Sequence, residues 1–314
     1  MLLLMLACEP GVSPSSEQPE ILFEVPAGSS ARGLGGSLAS AGVVGSASRW
    51  EWFLRLGADG SCIKAGRHKL KVGMKGEEIL AALCGVPVPK DEPFTVVEGW
   101  RIRDIDAALV EKGWIKAGAY IEATSKIDSF KLPFTTTSLE GYLYPETYKV
   151  EPDSFDPAQL AQRQLDTFVE RFYTPYQQKL GTRSLNEVVV MASLLEREEP
   201  TPANRPLVAG ILWKRIDAGW NLGVDATSRY SLDDWNDRTA FLKKLRDPTD
   251  PYNTRLRGGL PPTAIGAASL DSLVAATTPV PSEYWYYLHD ASKTLHPAKD
   301  EAGHEANRRR YNVY

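Results

Sequence analysis

The spacing of apolar residues changes near Leu132, and this change constrains the fold of the chain more than any other feature. Before it, short alternating runs such as residues 21–25 are each followed by a turn and a stretch of helical spacing, which predicts small strand–helix units. After it, helical spacing extends over residues 157–180 and 184–199, and the aromatic run 284–289 predicts a strand. The pattern predicts an α+β protein in which a small α+β N-terminal region precedes a mainly helical domain with a small sheet.

Composition and turn residues divide the chain into four segments. Two openings, Phe-Glu-Val-Pro-Ala-Gly from Phe23 and Phe-Thr-Val-Val-Glu-Gly from Phe94, are each followed by an amphipathic helix, so the α+β region contains two related units. The predicted segments are an apolar N-terminal run at residues 1–8, a Pro/Ser-rich tether at 9–20, the α+β region at 21–130 with units at about 21–88 and 92–130, and the helical domain at 131–314.

The apolar N-terminal run stops at Cys8, and three interpretations of it remain open. It is far shorter than the roughly 20 residues that span a bilayer, and it lacks the basic residues that open a signal peptide. It is the end of a lipoprotein signal before Cys8, the end of a transmembrane helix, or a frayed N-terminus without a role in export. The tether is typical of a linker between an anchor and a domain. We therefore expect a membrane-anchored protein whose domains lie on the extracytoplasmic face of the cytoplasmic membrane.

Charge and cysteine content exclude several classes of protein. The formal net charge of −4 argues against nucleic acid as a partner, since nucleic-acid-binding domains are usually basic. Three cysteines are too few for a disulfide scaffold or an all-cysteine zinc site, and the Cys and His residues show no metal-ligand spacing. We expect no metal and no cofactor. Cys62 and Cys84 either pair in an oxidising compartment or remain two buried thiols, and the sequence leaves both open.

The helix predicted after Ser184 carries the strongest candidate for catalysis. Ser184 and Glu187 have the spacing of a capping box, and one face of the helix runs from apolar residues to Glu196. A carboxyl group in apolar surroundings keeps its proton to a higher pH, as a general acid for glycosidic cleavage requires. The alternative is a solvated helix end whose last residues, Glu-Arg-Glu-Glu, are surface charges. Periodicity also leaves Glu198 as a candidate, because the helix is apolar on most sides.

Loops of the C-terminal half supply candidate ligand contacts. The turn Gly-Leu-Pro-Pro at residues 259–262 is rigid, and its glycine permits close approach to a ligand. Tyr-Asn-Thr at residues 252–254 offers three side chains that hydrogen-bond hydroxyl or amide groups. Aromatic residues cluster at 142–148 and 284–287, where they either stack on sugar rings or, as most buried aromatic residues do, form the core.

Four motifs in the C-terminal half, taken in order, resemble those of the endolytic murein transglycosylases, the YceG-like family. They are Leu-Glu-Gly-Tyr-Leu-Tyr-Pro-Glu-Thr-Tyr at residues 139–148, Ala-Ser-Leu-Leu-Glu-Arg-Glu-Glu at 192–199, Tyr-Asn-Thr at 252–254 and Gly-Leu-Pro-Pro at 259–262. The N-terminal half, with Lys-Ala-Gly-Arg-His-Lys-Leu at 64–70 and Val-Glu-Gly-Trp at 97–100, resembles the LysM-like region of that family. The resemblance covers nearly the whole chain after the tether.

The resemblance implies a lytic transglycosylase that cleaves the MurNAc–GlcNAc bond of peptidoglycan glycan strands without water and leaves 1,6-anhydro-MurNAc ends. It implies that Glu196 is the catalytic acid and base. It also implies that the enzyme limits the length of nascent strands beside peptidoglycan synthases or divisome proteins. The residues that it implies for substrate binding are Glu140, Tyr144, Asp225, Tyr252, Asn253, Thr254, Gly259, Leu260, Pro261 and His296.

Three departures from the family pattern concern the substrate loops rather than Glu196. The proline of the family's Asp-Pro-Thr segment is Ala226 here, Thr263 stands where glycine usually follows Gly-Leu-Pro-Pro, and Pro297 follows His296 in place of an aromatic residue. The main alternative is a non-catalytic peptidoglycan-binding or scaffolding protein in which the LysM-like region carries the function. A further alternative is a muramidase, which uses water and leaves reducing MurNAc ends.

Overall fold

The computed structural model describes residues 19–313, which form two compact units with a boundary between Glu92 and Pro93. The elements of the first unit are β1 (Glu20–Val25), α1 (Leu34–Ser40), α2 (Ala47–Arg55), β2 (Gly66–Lys71) and α3 (Gly76–Cys84). The elements of the second are β3 (Glu92–Thr95), which begins at the boundary, α4 (Ile102–Glu111), α5 (Ala119–Ser125), β4 (Thr147–Val150), α6 (Pro157–Phe168), α7 (Thr174–Tyr176), α8 (Leu185–Glu198), α9 (Arg205–Asp217), α10 (Asp225–Arg229), α11 (Arg238–Lys244), α12 (Leu270–Thr277), β5 (Tyr286–His289), β6 (Leu295–Ala298) and α13 (Glu301–Tyr311).

Helices and a two-stranded antiparallel sheet form the first unit around a core of its own. β1 pairs with β2 so that Ile21 lies opposite Leu70, which confirms the strand predicted at residues 21–25. Trp50 of α2 is fully buried in this core, and its indole N–H donates to the Ala31 carbonyl at 2.7 Å. That bond satisfies the polar end of a large apolar side chain.

A disulfide joins Cys62 to Cys84, with the two Cα atoms 5.0 Å apart. It links the 3-10 turn Gly60–Cys62 to the last residue of α3. The sequence leaves open whether these two cysteines are paired or free, and in the structure they are paired. Because the bond closes a loop within one small unit, it restricts the unfolded chain and stabilises this unit.

The second unit begins with a strand–helix–helix–strand segment, β3 to β4, in which the two strands are hydrogen-bonded to each other. β1 to β2 of the first unit has the same order. The unit predicted at residues 92–130 therefore ends too early, because its closing strand β4 lies beyond the predicted boundary at 130. Phe94, Ile105 and Tyr120 share one core with α6 and α8, so residues 93–130 belong to the C-terminal unit. The LysM-like character of these segments stays a prediction.

The long helices predicted in the C-terminal half are confirmed. α6 starts after Asp156, whose carboxylate accepts from the Ala158 N–H at 2.8 Å, and the π turn Val169–Tyr173 carries the chain into α7. α8 starts with the predicted capping box. The Glu187 N–H donates to Ser184 Oγ at 3.2 Å, and the Ser184 N–H donates to Glu187 Oε2 at 2.7 Å.

α8 is the central helix of the second unit. Its residues 188–195 are all buried, because α12 packs along it and α9 and α10 also contact it. A helix that is apolar on nearly every side is expected to lie inside a domain. Apart from Ser193, the polar side chains of its C-terminal half begin at residue 196, so the candidate site lies where this buried helix ends.

A β5–β6 hairpin and α13 are the last elements, and they complete the mixture of helices and small sheets that confirms the α+β prediction. Leu288 of β5 lies opposite His296 of β6, and α13 packs on the hairpin. Within residues 19–313, no helix combines the length and the apolar character needed to cross a bilayer. The predicted anchor at residues 1–8 and most of the predicted tether lie outside the described residues.

Candidate active site

Three glutamates and one arginine occupy residues 196–199 at the end of α8. Successive side chains on a helix point about 100° apart, so these four leave the helix end in different directions. Each has a specific partner within the second unit. The guanidinium of Arg197 donates to the Gly99 carbonyl and lies 4.0 Å from the ring centroid of Trp235. The alternative of a solvated helix end is therefore wrong.

Glu196 is held by a cation and by the start of a neighbouring helix. Arg205, the first residue of α9, donates from Nη2 to Glu196 Oε1 at 3.0 Å and from Nη1 to Oε2 at 3.3 Å. Ser269, the residue before α12, donates its N–H and its hydroxyl to Oε2 at 2.8 and 2.5 Å. The Glu196 side chain is 9% exposed and that of Arg205 is 7% exposed.

This set of partners fixes the direction of the Glu196 carboxylate. A guanidinium that binds both oxygens of a carboxylate restricts its position as well as attracting its charge. Arg205 is itself anchored, because its Nε donates to the Glu199 carbonyl at 3.0 Å and its Nη1 donates to Ser269 Oγ at 2.7 Å. The sequence predicts an apolar setting for Glu196, whereas the structure places a cation and a hydroxyl on it. The arrangement holds the carboxylate in one direction, as a group that transfers a proton requires.

Glu198 occupies a different environment, although it is only two residues away. Its Oε2 accepts a hydrogen bond from Tyr287 Oη at 3.1 Å. Burial raises the pKa of Glu198, the Tyr287 hydrogen bond lowers it, and the negative charge of Asp225 raises it again, with a net increase. Glu198 therefore remains a candidate for proton transfer, as the periodicity of the helix allows.

Glu199 anchors the end of α8 to the hairpin. Its side chain is fully buried, its Oε2 lies 2.9 Å from His289 Nε2, and its Oε1 accepts from the Thr201 N–H at 2.8 Å. Tyr287 and His289 are two residues apart on β5, so they lie on the same face of that strand. This face of the hairpin therefore meets the glutamates of α8.

Asp225 lies close enough to Glu198 to affect its pKa, but its direct partner is a cation. The Arg255 Nε and Nη2 atoms lie 2.6 and 2.5 Å from Asp225 Oδ1. Both side chains are about half exposed. Of the residues predicted to bind substrate, Asp225 is thus placed near the glutamates of α8 and remains accessible.

The Tyr-Asn-Thr segment divides into one accessible and two buried side chains. Tyr252 is partly exposed, with its hydroxyl 2.8 Å from Thr263 Oγ1. Asn253 is completely buried, and its amide donates to the Lys244 carbonyl at 2.9 Å. Thr254 is also buried and accepts from the Val224 N–H at 3.0 Å. The structure thus uses Asn253 and Thr254 to hold the loop, and a direct contact with substrate would require that loop to open.

The Gly-Leu-Pro-Pro turn is exposed at both ends, Gly259 and Pro262, and buried at Pro261. Gly259 has a φ of +85° and nothing within 4 Å of the position of a Cβ atom, so its backbone conformation rather than crowding favours glycine. Leu260 is partly buried and Pro261 is buried. Further along, Gly266 approaches the Gly99 carbonyl so closely that no side chain fits between them. The segment that follows the turn therefore packs directly against the backbone at Gly99 of the same unit.

Glu140, at the start of the aromatic motif, is a second buried carboxyl group. It is 5% exposed and accepts hydrogen bonds from the Ile102 N–H at 3.1 Å and from Tyr230 Oη at 2.9 Å. Burial raises the pKa of Glu140 to about 7, although both hydrogen bonds act to lower it. Tyr144, by contrast, is a buried core residue whose carbonyl accepts from Tyr148 Oη at 2.8 Å.

His296 lies on the side of the hairpin that faces away from the glutamates. It pairs with Leu288, the residue between Tyr287 and His289, so it shares the opposite face of the sheet. Its Nε2 lies 2.9 Å from Asp290 Oδ2, and its ring stacks on Tyr311 of α13 with centroids 3.6 Å apart. The structure therefore does not bring His296 together with Glu196.

Several residues of the site escape the sequence reasoning. They are Arg205, Ser269, Tyr230 and His289, whereas Tyr287 is anticipated only as a member of the aromatic run 284–287. The alternation of the predicted strand at 284–289 is a signal that places Tyr287 and His289 on one face, and a serine directly before the apolar residues of α12 is the local signal for a cap at Ser269. No local signal connects either feature to Glu196. Within the described part of the chain, no group of three or more His, Cys, Asp or Glu side chains is arranged to hold a metal ion.

Fold and site together define a class: an α+β protein with a carboxylate site at the end of a buried helix. The model of the YceG-like family matches residues 23–310, and the chain belongs to that family. A crystal structure of a putative YceG-like protein from Listeria monocytogenes, at 23% identity, shares the fold with a TM-score of 0.61. The similarity covers 93% of this chain and 100% of that one.

Two curated relatives carry the name endolytic murein transglycosylase. The protein of Bacillus subtilis strain 168 is 27% identical over 285 residues, which cover 85% of this chain and 78% of that protein. The protein of Streptococcus pneumoniae strain D39 is 23% identical over 315 residues. In that case the match covers 90% of this chain but only 57% of the streptococcal protein.

Proposed function

We propose that this protein cleaves the MurNAc–GlcNAc bond within peptidoglycan glycan strands and leaves 1,6-anhydro-MurNAc ends, with Glu196 as the group that transfers the proton. As a member of the YceG-like family with relatives named endolytic murein transglycosylase, the chain is a lytic transglycosylase. The observation that carries the residue assignment is the carboxylate of Glu196, fixed by Arg205 and Ser269 at the end of α8.

One carboxyl group is sufficient for this reaction. In the first step Glu196 donates its proton to the glycosidic oxygen, the bond from that oxygen to C1 of MurNAc breaks, and positive charge develops at C1. In the second step the Glu196 carboxylate takes the proton of the C6 hydroxyl of the same sugar, and O6 bonds to C1. No water is consumed, and Glu196 ends the cycle protonated. A hydrolase needs a second carboxylate because its nucleophile comes from outside the substrate.

Arg205 and Ser269 suit the second of these steps. They hydrogen-bond both oxygens of the Glu196 carboxylate and so aim it while it accepts the proton. The first step needs Glu196 in its protonated form, so one of its oxygens must give up an accepted hydrogen bond in order to carry the proton. Arg205 is thus a positioning residue whose contact with Glu196 changes during the cycle.

The setting of this activity forms part of the same proposal. The protein is anchored to the cytoplasmic membrane through its N-terminal segment, works on the extracytoplasmic face, and limits nascent strand length beside peptidoglycan synthases or divisome proteins. The Cys62–Cys84 disulfide supports this location, because disulfides persist mainly in oxidising compartments. The LysM-like region would hold or position the glycan for the catalytic unit.

The test is the product of the reaction. The purified protein and its Glu196→Gln variant are incubated with peptidoglycan, and the soluble muropeptides are identified by mass spectrometry. Glu122→Gln, on an exposed side chain of α5, is the matched control. Anhydro-MurNAc ends that disappear only in Glu196→Gln are expected. Reducing ends would mean a muramidase, and binding without release would mean a non-catalytic peptidoglycan-binding protein.

A further inference from the structure

Side-chain contacts lead from Glu140, far from Glu196 in the sequence, to the Tyr-Asn-Thr motif. The Glu140 carboxylate accepts a hydrogen bond from Tyr230 Oη at 2.9 Å. The Tyr230 ring packs on the Tyr252 ring with centroids 4.5 Å apart. The Tyr252 hydroxyl lies 2.8 Å from Thr263 Oγ1. Glu140 is therefore linked, contact by contact, to the loop of residues 252–269, which we call the Tyr252 loop.

The other end of the Tyr252 loop is fixed to the candidate active site. The Ile265 N–H donates to Ser193 Oγ of α8 at 3.0 Å. Four residues later, Ser269 binds Glu196 through its N–H and its hydroxyl. A displacement of the loop near Tyr252 therefore changes the position of a direct partner of Glu196.

The charge on Glu140 is the variable part of this chain of contacts. Burial, the largest influence, raises the pKa of Glu140 to about 7, so the group changes its charge near neutral pH. Arg101 binds Asp104 through Nη2 and Oδ1 at 2.8 Å, so these two neighbouring charges largely cancel at Glu140. The titratable or charged groups near Glu140 are Arg101 before α4, Arg103 and Asp104 of α4, Tyr120 of α5, Tyr230, and Tyr252.

A cavity gives solvent a route to this carboxyl group. It has a volume of about 370 Å³ and is lined by Glu140, Tyr230, Arg103 and the hydroxyl-bearing residues Thr137 and Ser138, among others. Protons can therefore exchange with Glu140 without unfolding of the second unit.

We propose that Glu140 and Tyr230 are positioning residues for the reaction at Glu196. Ionised Glu140 holds Tyr230, Tyr230 holds the Tyr252 loop, and the loop holds Ser269 on Glu196. This proposal rests on the proposed function. A hydrogen bond to a carboxylate is stronger than one to a neutral carboxyl group, so the loop is held more firmly when Glu140 is charged.

The direction of the pH effect follows from this difference. Above about pH 7 Glu140 is charged and kcat is at its upper level, whereas below it the group is neutral and kcat falls. The difference between charged and neutral hydrogen bonds predicts a change of roughly five- to tenfold. Glu140→Gln is neutral at every pH, so its kcat should match the low-pH level of the wild type and lose this step. KM should change little, because Glu140 acts on the Tyr252 loop through Tyr230.

The experiment measures kcat and KM for peptidoglycan cleavage from about pH 5 to about pH 9, in the wild type, Glu140→Gln, Tyr230→Phe and the exposed control Glu122→Gln. We expect the rise of kcat near pH 7 to be absent in Glu140→Gln and Tyr230→Phe and to be unchanged in Glu122→Gln. If Glu140→Gln lowered kcat by the same factor at every pH and kept the rise near pH 7, Glu140 would have only a structural role. That result would overturn the proposal.

A second measurement separates this proposal from the proposed function. Amide hydrogen exchange of the Tyr252 loop requires no activity, and it should become faster in Tyr230→Phe and, for the wild type, as the pH falls below about 7 after correction for intrinsic exchange. Unchanged exchange in residues 252–269 would sink the positioning role even if the enzyme were active. A wild type without any product, but with this exchange pattern, would sink the proposed reaction instead.

Discussion

The fold favours the neutral form of the Glu140 carboxyl group over its charged form. Its pKa lies near 4.5 in the unfolded chain and at about 7 in the folded protein. Between these values the folded protein holds a proton that the unfolded chain has released. The free energy of unfolding therefore falls as the pH rises from about 4.5 to about 7. A buried carboxyl group that lowers the free energy of unfolding near neutral pH is unfavourable for folding. Its presence therefore indicates a functional role.

Replacement of this carboxyl group should stabilise the protein at high pH. We expect Glu140→Gln to exceed the wild type in free energy of unfolding above pH 7 by up to about 3 kcal/mol, at about 1.4 kcal/mol for each pH unit, and to match it near pH 4. Urea denaturation across this range is the measurement, with Glu122→Gln as control. Parallel curves for wild type and Glu140→Gln would contradict the burial of a titrating carboxyl group. A variant that gains stability while losing activity would separate positioning from folding.

The ion pair of Arg205 and Glu196 differs from Glu140, because each of its buried charges is compensated by the other. Arg205→Met leaves a largely buried carboxylate without its cation, and we expect a loss of about 3 kcal/mol in the free energy of unfolding. The double variant Arg205→Met/Glu196→Gln should recover most of that loss, because no uncompensated charge remains. A double-mutant cycle from urea denaturation measures the coupling. Additive effects of the two changes would mean that the ion pair is not formed in solution.

α8 shows how one element serves both the fold and the site. Its buried residues 188–195 join the core, and its last residues present carboxylates to three other elements. The helix begins at a capping box, which satisfies backbone N–H groups that would otherwise lack partners. Because the helix is rigid, the cap at Ser184 and the glutamates at the other end keep a fixed position relative to each other.

The cap of α8 makes a measurable contribution. Ser184→Ala removes the acceptor of the Glu187 N–H, and we expect it to lower the free energy of unfolding by about 1 kcal/mol. Ser184→Asp keeps an acceptor at the same position and should remain close to the wild type. Both are read by urea denaturation of the second unit. Equal losses in the two variants would point to crowding at this position rather than to the cap.

Local signals explain which elements the sequence predicts well. Asp156 with its following proline, and Ser184 with Glu187, mark helix starts within a few residues, and both caps form. The partnership of β3 with β4 spans about 50 residues and has no local signal, which is why the predicted boundary at 130 falls inside this unit. The site divides in the same way. The motif around Glu196 is local, whereas Ser269 and Tyr287 reach it only through the tertiary fold.

At the scale of the whole molecule, the two units have separate cores and separate means of stabilisation. The first is small, and a disulfide closes a stretch of 22 residues in sequence within it. The second has the larger core, which includes α6, α8 and residues of α4 and α5. Small units commonly need such a covalent link because they bury too little apolar surface.

Removal of the disulfide should therefore act on one unit. We expect the double variant Cys62→Ser/Cys84→Ser to lower the free energy of unfolding of the first unit by about 3 kcal/mol and to leave the transition of the second unit in place. Hydrogen exchange followed by mass spectrometry resolves the two units separately. Equal loss of protection in both would mean that they unfold as one cooperative body.

Two carboxylates of the site are each paired with an arginine: Glu196 of α8 with Arg205, and Asp225 of α10 with Arg255. These two pairs therefore project little electric field into the surrounding water. These charges should therefore contribute little long-range attraction or repulsion to the encounter with a glycan strand. The value of kcat/KM should accordingly vary little with ionic strength. A steep dependence on salt would reveal that these pairs open when the protein meets the wall.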